Sequence, residues 1–291
     1  HTDHPGAVFE KACEFGMLES TKIENMRNQH SERVSGEAAA TAAEPKIAEP
    51  VNEYGFVSVC MGKGISDTFR DLGVDTVITC SGCPGDHEGA KYPNWVTCPW
   101  PDDFLKILDW QWNEVLIPYW KETAAFAKAH GVTKIAFEMH PGFCVYNPET
   151  LLRLRAAVGD VIGANFDPSH LIWQGMDPVA AIRELKGAIY HVHAKDTKID
   201  KYNTAKNGVL DTKHYSDELG RSWVFRAVGF GNDAAYWRDI ISNLRLCGYD
   251  GALSIEHEDS IMTIDEGLKK AVAFLAPLVM VVDKPRTMSW A

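Results

Sequence analysis

From residue 74 onward, short apolar β-branched runs alternate with longer segments of helical periodicity, and this alternation limits the fold more than any other feature. VDTVITC (74–80) is bounded by Gly and Pro and reads as a buried strand. Residues 102–130 have helical spacing, an acidic start and a glycine behind them, and Pro118 is expected to kink or divide the helix. TKIAFEM (133–139) is the next strand. A helix over 147–159 follows, with Pro148 in its first turn and a glycine at its end. The pattern continues with strand VIGANFD (161–167), helix 177–187 and strand AIYHVHA (188–194). After a long polar loop at 195–232 come helix 234–248, strand GALSIEH (251–257) and helix 263–279. Near-continuous apolar strands separated by helices imply a parallel sheet covered by helices. A closed barrel and an open doubly wound sheet both satisfy this pattern. No GxGxxG follows the first strand, which counts against a nucleotide-binding open sheet.

The first fifty-five residues differ. VSGEAAATAAEPKIAEPVNEYG (34–55) is rich in Ala, Glu and Pro and reads as a mobile helix or linker; only GFVSVCMG (55–62) resembles a strand. Five firm strands and this weaker one leave two of a barrel's eight unaccounted for. The expectation is a single domain over residues 1–291, with residues 1–55 an atypical segment; if the sheet closes, it is a (β/α)8 barrel whose N-terminal strands are atypical or incomplete, the TIM barrel that the resemblance described below implies.

Charge narrows the range of partners. A formal net charge of −11, from 29 basic and 40 acidic residues, disfavours a surface that tracks nucleic-acid phosphates. The sequence holds no apolar run long enough to span a bilayer, so no membrane partner is expected. Seven cysteines, widely scattered and odd in number, argue against a disulfide framework and for a reducing, cytoplasmic setting. Cys80 and Cys83 have CxxC spacing, but with no second pair they read as inert loop residues.

Chemistry concentrates where the strands end. Glu138 in AFEMH, Asp167 in NFDPSH, His193 in HVHAKD and Glu256 in SIEHED each close an apolar strand. A single strand-terminal carboxylate is more often a helix cap or a surface ion pair. Four on successive strand ends are another matter, because parallel strands deliver their C-termini to one mouth. Three carboxylates and one imidazole suit Mn²⁺ foremost, with Mg²⁺ or Co²⁺ as alternatives. His191 shares its strand with His193, and the later histidine is the preferred ligand.

Around this set lie groups fit for sugar hydroxyls. His170 follows Asp167 by three and would rise from the loop above the metal; the bland reading is a helix-N-terminal histidine satisfied by Asp167. Lys195 and Asp196 either reach a substrate or pair with each other. Arg226 precedes a Gly-rich turn that would let the backbone approach a ligand. Trp112, Trp173 and Phe143 would form an apolar wall against a sugar ring, although aromatics so placed are more often core. His140 and His257, each just past a glutamate, are candidate orienters of the ligands or, for His140, a substrate contact.

The set Glu138, Asp167–x–x–His170, His193 and Glu256 resembles the xylose-isomerase-like superfamily of TIM barrels, which includes ketose 3-epimerases, inosose isomerases and dehydratases, and hydroxypyruvate isomerases. The likeness runs from about Asp75 to Leu278. EMHPGF, FDPSHLIWQGMDP, YHVHAKDT and LSIEHED are similar to a branch of sugar phosphate isomerases/epimerases, itself similar to the catalytic subunits of C-glycoside deglycosidases. The resemblance implies one divalent cation held by Glu138, Asp167, His193 and Glu256. It also implies proton exchange by Glu138 and Glu256, contact of His170 with sugar oxygens, and a substrate-side Arg226 followed by Gly229 and Gly231. The activity so implied is isomerisation or epimerisation through a metal-stabilised enediolate. The alternative is a lyase that cleaves C-glycosides or 3-keto glycosides at the same site, and a non-catalytic partner subunit ranks below both. A DNA-repair barrel of the endonuclease IV kind would need a histidine-rich multi-zinc site and a basic face, against the charge of −11. The expected ligand is a small sugar or keto-sugar glycoside, unphosphorylated because no Gly-rich phosphate cradle with a partnering Lys is present. Assembly as a homo-oligomer, or with a small second subunit, fits the same likeness.

Overall fold

The computed structural model describes residues 75–280. The expected strand at 55–62 and the Ala/Glu/Pro-rich segment lie outside the described residues. Five strands form one parallel sheet in the order β1 (Thr76–Thr79), β2 (Lys134–Glu138), β3 (Ile162–Phe166), β4 (Ile189–Ala194) and β7 (Leu253–Ile255). All five residues of β3 and the middle three of β2 are buried, as the near-continuous apolar runs require. The register sets Glu138 beside Asn165, Asn165 beside His191, and His193 beside Ser254. Because every pairing is parallel, the C-terminal ends of the strands open on one edge of the sheet. This is the topology of consecutive β/α units of a (β/α)8 barrel, of which the described residues supply five strands.

Helices fill the crossovers. Between β1 and β2 the chain runs through α1 (Asp103–Trp110), a π-helical stretch (Gln111–Leu116) and α2 (Ile117–Ala129). Pro118 does not divide the segment: the backbone stays helical through Leu116 and Ile117, and the proline sits directly behind the π stretch, whose wider turn accommodates it. Gln111 turns inward there and donates from Nε2 to the carbonyls of Pro84, Gly85 and Asn94, which fixes the loop after β1. Helix α3 (Pro148–Val158) opens on a reciprocal cap, Asn147 accepting from the Thr150 backbone N–H at 2.9 Å while the Thr150 hydroxyl accepts from that of Asn147. The core lies between the helices and the sheet, with Phe137, Leu151, Leu154, Ile162, Phe166, Ile182, Trp237 and Leu244 all shielded from solvent. Each such side chain contributes about 1.5–3 kcal/mol by leaving water. Among the described residues no helix is long and apolar enough to cross a membrane.

Two expectations need correction. Asp167 is followed by a short helix, α4 (Pro168–Trp173), and then by α5 (Pro178–Glu184), so His170 stands on a helix rather than in a loop. Residues 195–232 are not one long loop either. β5 (Asp196–Ile199) and β6 (Trp223–Arg226) form an antiparallel pair, with α6 (Lys201–Asn207) between them. The pair is held by contacts distant in sequence. The Thr197 hydroxyl donates to the Ser169 carbonyl, and Trp223 stacks on Trp173 with ring centroids 4.4 Å apart. Helices α7 (Ala234–Leu246) and α8 (Ile264–Leu275) complete the order.

Asp196 ties this excursion to the sheet. Its buried carboxylate accepts from the backbone of Gly229, Gly231, Asn232 and Thr197, from Asn232 Nδ2 and from Trp237 Nε1, at 2.7–3.1 Å. A Cβ on residue 231 would lie 2.5 Å from Asp196 Oδ1, which is why that position is glycine. The Gly-rich turn after Arg226 therefore closes on the protein's own carboxylate rather than on a ligand. Removing an acceptor with this many buried donors leaves them all unsatisfied. Asp196→Ala is expected to lower stability by about 3 kcal/mol or more, read as an earlier urea midpoint at an unchanged m value.

Candidate metal centre

The four strand-end residues meet. Glu138 closes β2, Asp167 follows β3, His193 lies near the end of β4 and Glu256 follows β7. Each offers one ligand atom, and these atoms lie within 4.8 Å of one another. Asp167 also caps α4, its Oδ1 accepting from the Ser169 backbone N–H at 2.9 Å, which aims Oδ2 at the other three. His193 Nδ1 bridges the two glutamates, 3.3 Å from Glu138 Oε2 and 2.9 Å from Glu256 Oε2. His170 Nε2 lies 3.0 Å from Glu138 Oε1, and Asn165 Nδ2 donates to Glu138 Oε2 at 3.1 Å. Lys195 Nζ lies 3.1 Å from Asp167 Oδ2 and 3.1 Å from Glu256 Oε2.

The electrostatics follow from this crowding. Burial alone would raise the Glu138 carboxyl, but hydrogen bonds with His170 and His193 hold it far below the usual carboxylate range. Glu256 is held down to about 2: burial opposes this, and the His193 hydrogen bond and the Lys195 charge outweigh it. Burial disfavours the His193 imidazolium, yet its bonds to Glu138 and Glu256 and the charge of Asp167 push its pKa up to about 9. His191, whose ring centroid is 5.5 Å from that of His193, goes the other way, down to about 4, through burial and then the His193 charge.

The donor set fits a divalent cation. Asp167 Oδ2 and Glu256 Oε2 are buried oxygens, both met by Lys195 and the latter also by His193, in a cluster of three carboxylates and one imidazole. Such oxygen-rich sites take Mn²⁺, Mg²⁺ or related ions. A second group, Glu138, His140 and His170, also brings ligand atoms within 4.8 Å of one another, sharing Glu138 with the first.

Other expected site residues fall on both sides of this boundary. His140 lies against His170, ring centroids 4.1 Å apart, and its Nδ1 is bonded to the Pro141 carbonyl. Phe143 packs edge-on against His140. Lys195 enters the cluster, while Asp196 points to the opposite side of the strand, so the two do not pair with each other. Trp173 is buried against Trp223 and Phe225, and Phe225 in turn meets the His170 ring edge-on at 5.5 Å. Trp112 is a correction: at 1% exposure it belongs to the hydrophobic core, its ring covered by the Arg153 guanidinium at 4.2 Å. Arg226 is also committed elsewhere, to Glu218 at 2.5 Å and Asp259 at 3.3 Å. His257 lies against Gly267 of α8, where an added Cβ would overlap its ring. Two participants went unforeseen. Asn165 sits inside a strand rather than past its end, and only its register with Glu138, which the sequence does not show, brings it to the site. Glu258, two residues past Glu256, lies 3.6 Å from Lys195.

Known proteins share sequence with most of this chain. The profile described as xylose isomerase-like TIM barrel matches residues 63–278, and residues 1–33 match a different one, the middle domain of a fatty acid kinase-like family. Protein YfiH of Bacillus subtilis, itself uncharacterised, is 47% identical over 206 residues, spanning 70% of this chain and 66% of its own length. The rhizopine catabolism protein MocC of Rhizobium meliloti is 30% identical over 190 residues, 65% of this chain and 54% of MocC. The chain thus spans just under two thirds of one of these relatives and about half of the other. Among solved structures, a xylose isomerase domain protein from Planctomyces limnophilus aligns with a TM-score of 0.48 at 20% identity, over 74% of this chain and 61% of that one.

Ligation requires His193 without the proton it holds up to about pH 9. Apparent Mn²⁺ affinity is therefore expected to rise about tenfold per pH unit between about pH 6 and 8, with about one proton released per ion. Calorimetric titration in two buffers of different ionisation enthalpy measures that release; none would remove His193 from the ligand set.

Proposed function

Because the chain belongs to the xylose isomerase-like TIM-barrel family, we propose that it is a divalent-metal-dependent sugar isomerase or epimerase that moves a proton next to a carbonyl. The observation that carries this reading is the cluster of Glu138, Asp167, His193 and Glu256, with its two glutamates on either side of His193. A divalent ion held by these four residues, Mn²⁺ foremost, would stabilise negative charge on the substrate's carbonyl and neighbouring hydroxyl oxygens.

The chain's own groups do the rest. The two oxygens of Glu138 are oriented separately, Oε1 by His170 and Oε2 by Asn165, which fixes the carboxylate that would accept the α-proton. Glu256 approaches from another strand and returns the proton. Return at the same carbon from the opposite face epimerises; delivery to the neighbouring carbon isomerises. His140 and His170, whose rings lie against each other beside Glu138, would present imidazole edges to the sugar oxygens. The relative named for rhizopine catabolism supports a catabolic role. A second reading rests on the similarity between the sugar phosphate isomerase/epimerase branch that FDPSHLIWQGMDP and YHVHAKDT resemble and the C-glycoside deglycosidases: a β-substituent would leave from the same enolate, which would make the enzyme a lyase.

Proton NMR in D₂O with Mn²⁺ or Mg²⁺ separates the two, using fructose, an inosose, 3-keto-glucose and a 3-keto C-glycoside. Metal-dependent deuterium uptake with the aglycone retained is the expected result, and aglycone release selects the lyase. In either case Glu138→Gln should cut exchange by at least about 100-fold while thermal unfolding stays close to wild type. Exchange that survives in that variant would remove Glu138 from its assigned role.

A further inference from the structure

Lys195 is one of the most deeply buried side chains of the protein, at 1% exposure. Its Nζ lies 3.1 Å from Asp167 Oδ2 and from Glu256 Oε2, 3.6 Å from Glu258 Oε2 and 3.4 Å from His170 Nε2, with the Phe225 ring centroid 4.8 Å away. Burying an ammonium costs several kcal/mol unless nearby negative charge compensates it, and three carboxylates do so here. Its aim is fixed from behind, because the next residue, Asp196, is locked to the turn 229–232. The two oxygens nearest the ammonium, Asp167 Oδ2 and Glu256 Oε2, both belong to the ligand set.

We infer that Lys195 is a resident counter-cation of the metal centre: it holds Asp167 and Glu256 together and sets how tightly a divalent ion binds by competing for the same oxygens. The inference rests on the metal reading above. Its basis is charge. The ligand set carries three carboxylates, so a divalent ion alone leaves the centre at −1, and the Lys195 ammonium brings it to zero. Glu258, exposed at the rim, faces the ammonium from the far side. Removing the lysine strengthens the field at the ion and exposes the carboxylates to one another.

The test is calorimetric titration of Mn²⁺ into wild type, Lys195→Met and Lys195→Arg at pH 7.5, with thermal unfolding with and without the ion. Lys195→Met is expected to bind Mn²⁺ at least about tenfold more tightly, to unfold at a lower temperature without the ion, and to gain more from it. Lys195→Arg keeps the charge and should stay within about threefold of wild type. Wild type that binds no Mn²⁺ overturns the metal reading itself. Wild type that binds while Lys195→Met binds equally or more weakly overturns only the counter-cation inference. Should Lys195→Met fail to fold, Lys195→Gln, with the same charge loss, decides by the same measurement.

Discussion

Three carboxylates converge at one end of a largely apolar sheet, and much of the surrounding structure makes that tolerable. Unpaired, each would be driven to protonate. Instead Glu138 lies between His170 and His193, Glu256 between His193 and Lys195, and Asp167 between a helix N-terminus and Lys195. Parallel register forces the convergence, since it lines up the strand ends.

Support for that end of the sheet comes from the β5–β6 excursion. Its Phe225 touches both His170 and Lys195, and Trp223 stacks on Trp173 at the end of α4. Asp196 anchors the excursion's first strand to the turn after its last. Arg226 joins Glu218 of the intervening loop to Asp259 beyond β7, and Asp259 also accepts from the Ala227 backbone. Arg226 thus acts on the site through the segments it holds together. A guanidinium paired with two carboxylates is a brace, and losing it would leave Asp259 buried and uncompensated.

What could be read beforehand follows the range of the interactions. Near-continuous strands ending in Glu, Asp or His are legible because burial on both faces and a polar terminus are local properties. The four candidate ligands are therefore legible one by one, and the register brings them together. β5 and β6 were not visible. Each is four residues long, and their pairing joins segments separated by a helix and a loop. Trp112 misled because an aromatic on an amphipathic segment looks the same whether it lines a pocket or fills a core; the Arg153 guanidinium that covers it comes from another helix. Asn165 was hidden by its place in the middle of a strand, where its partner depends on registry with β2.

The two cations of the site differ in kind, and the difference assigns their roles. His193 carries its charge only up to about pH 9 and would lose it on becoming a ligand. Lys195 is pushed the other way: burial disfavours its charge, but Asp167 and Glu256 outweigh burial and hold its pKa above the usual lysine value. With both cations charged, three carboxylates leave the cluster at −1; when a divalent ion replaces the His193 proton, the cluster reaches zero. Histidine is therefore the exchangeable charge and lysine the permanent one. Reversing them would leave a site that either could not release its proton or could not hold its carboxylates together before the ion arrives.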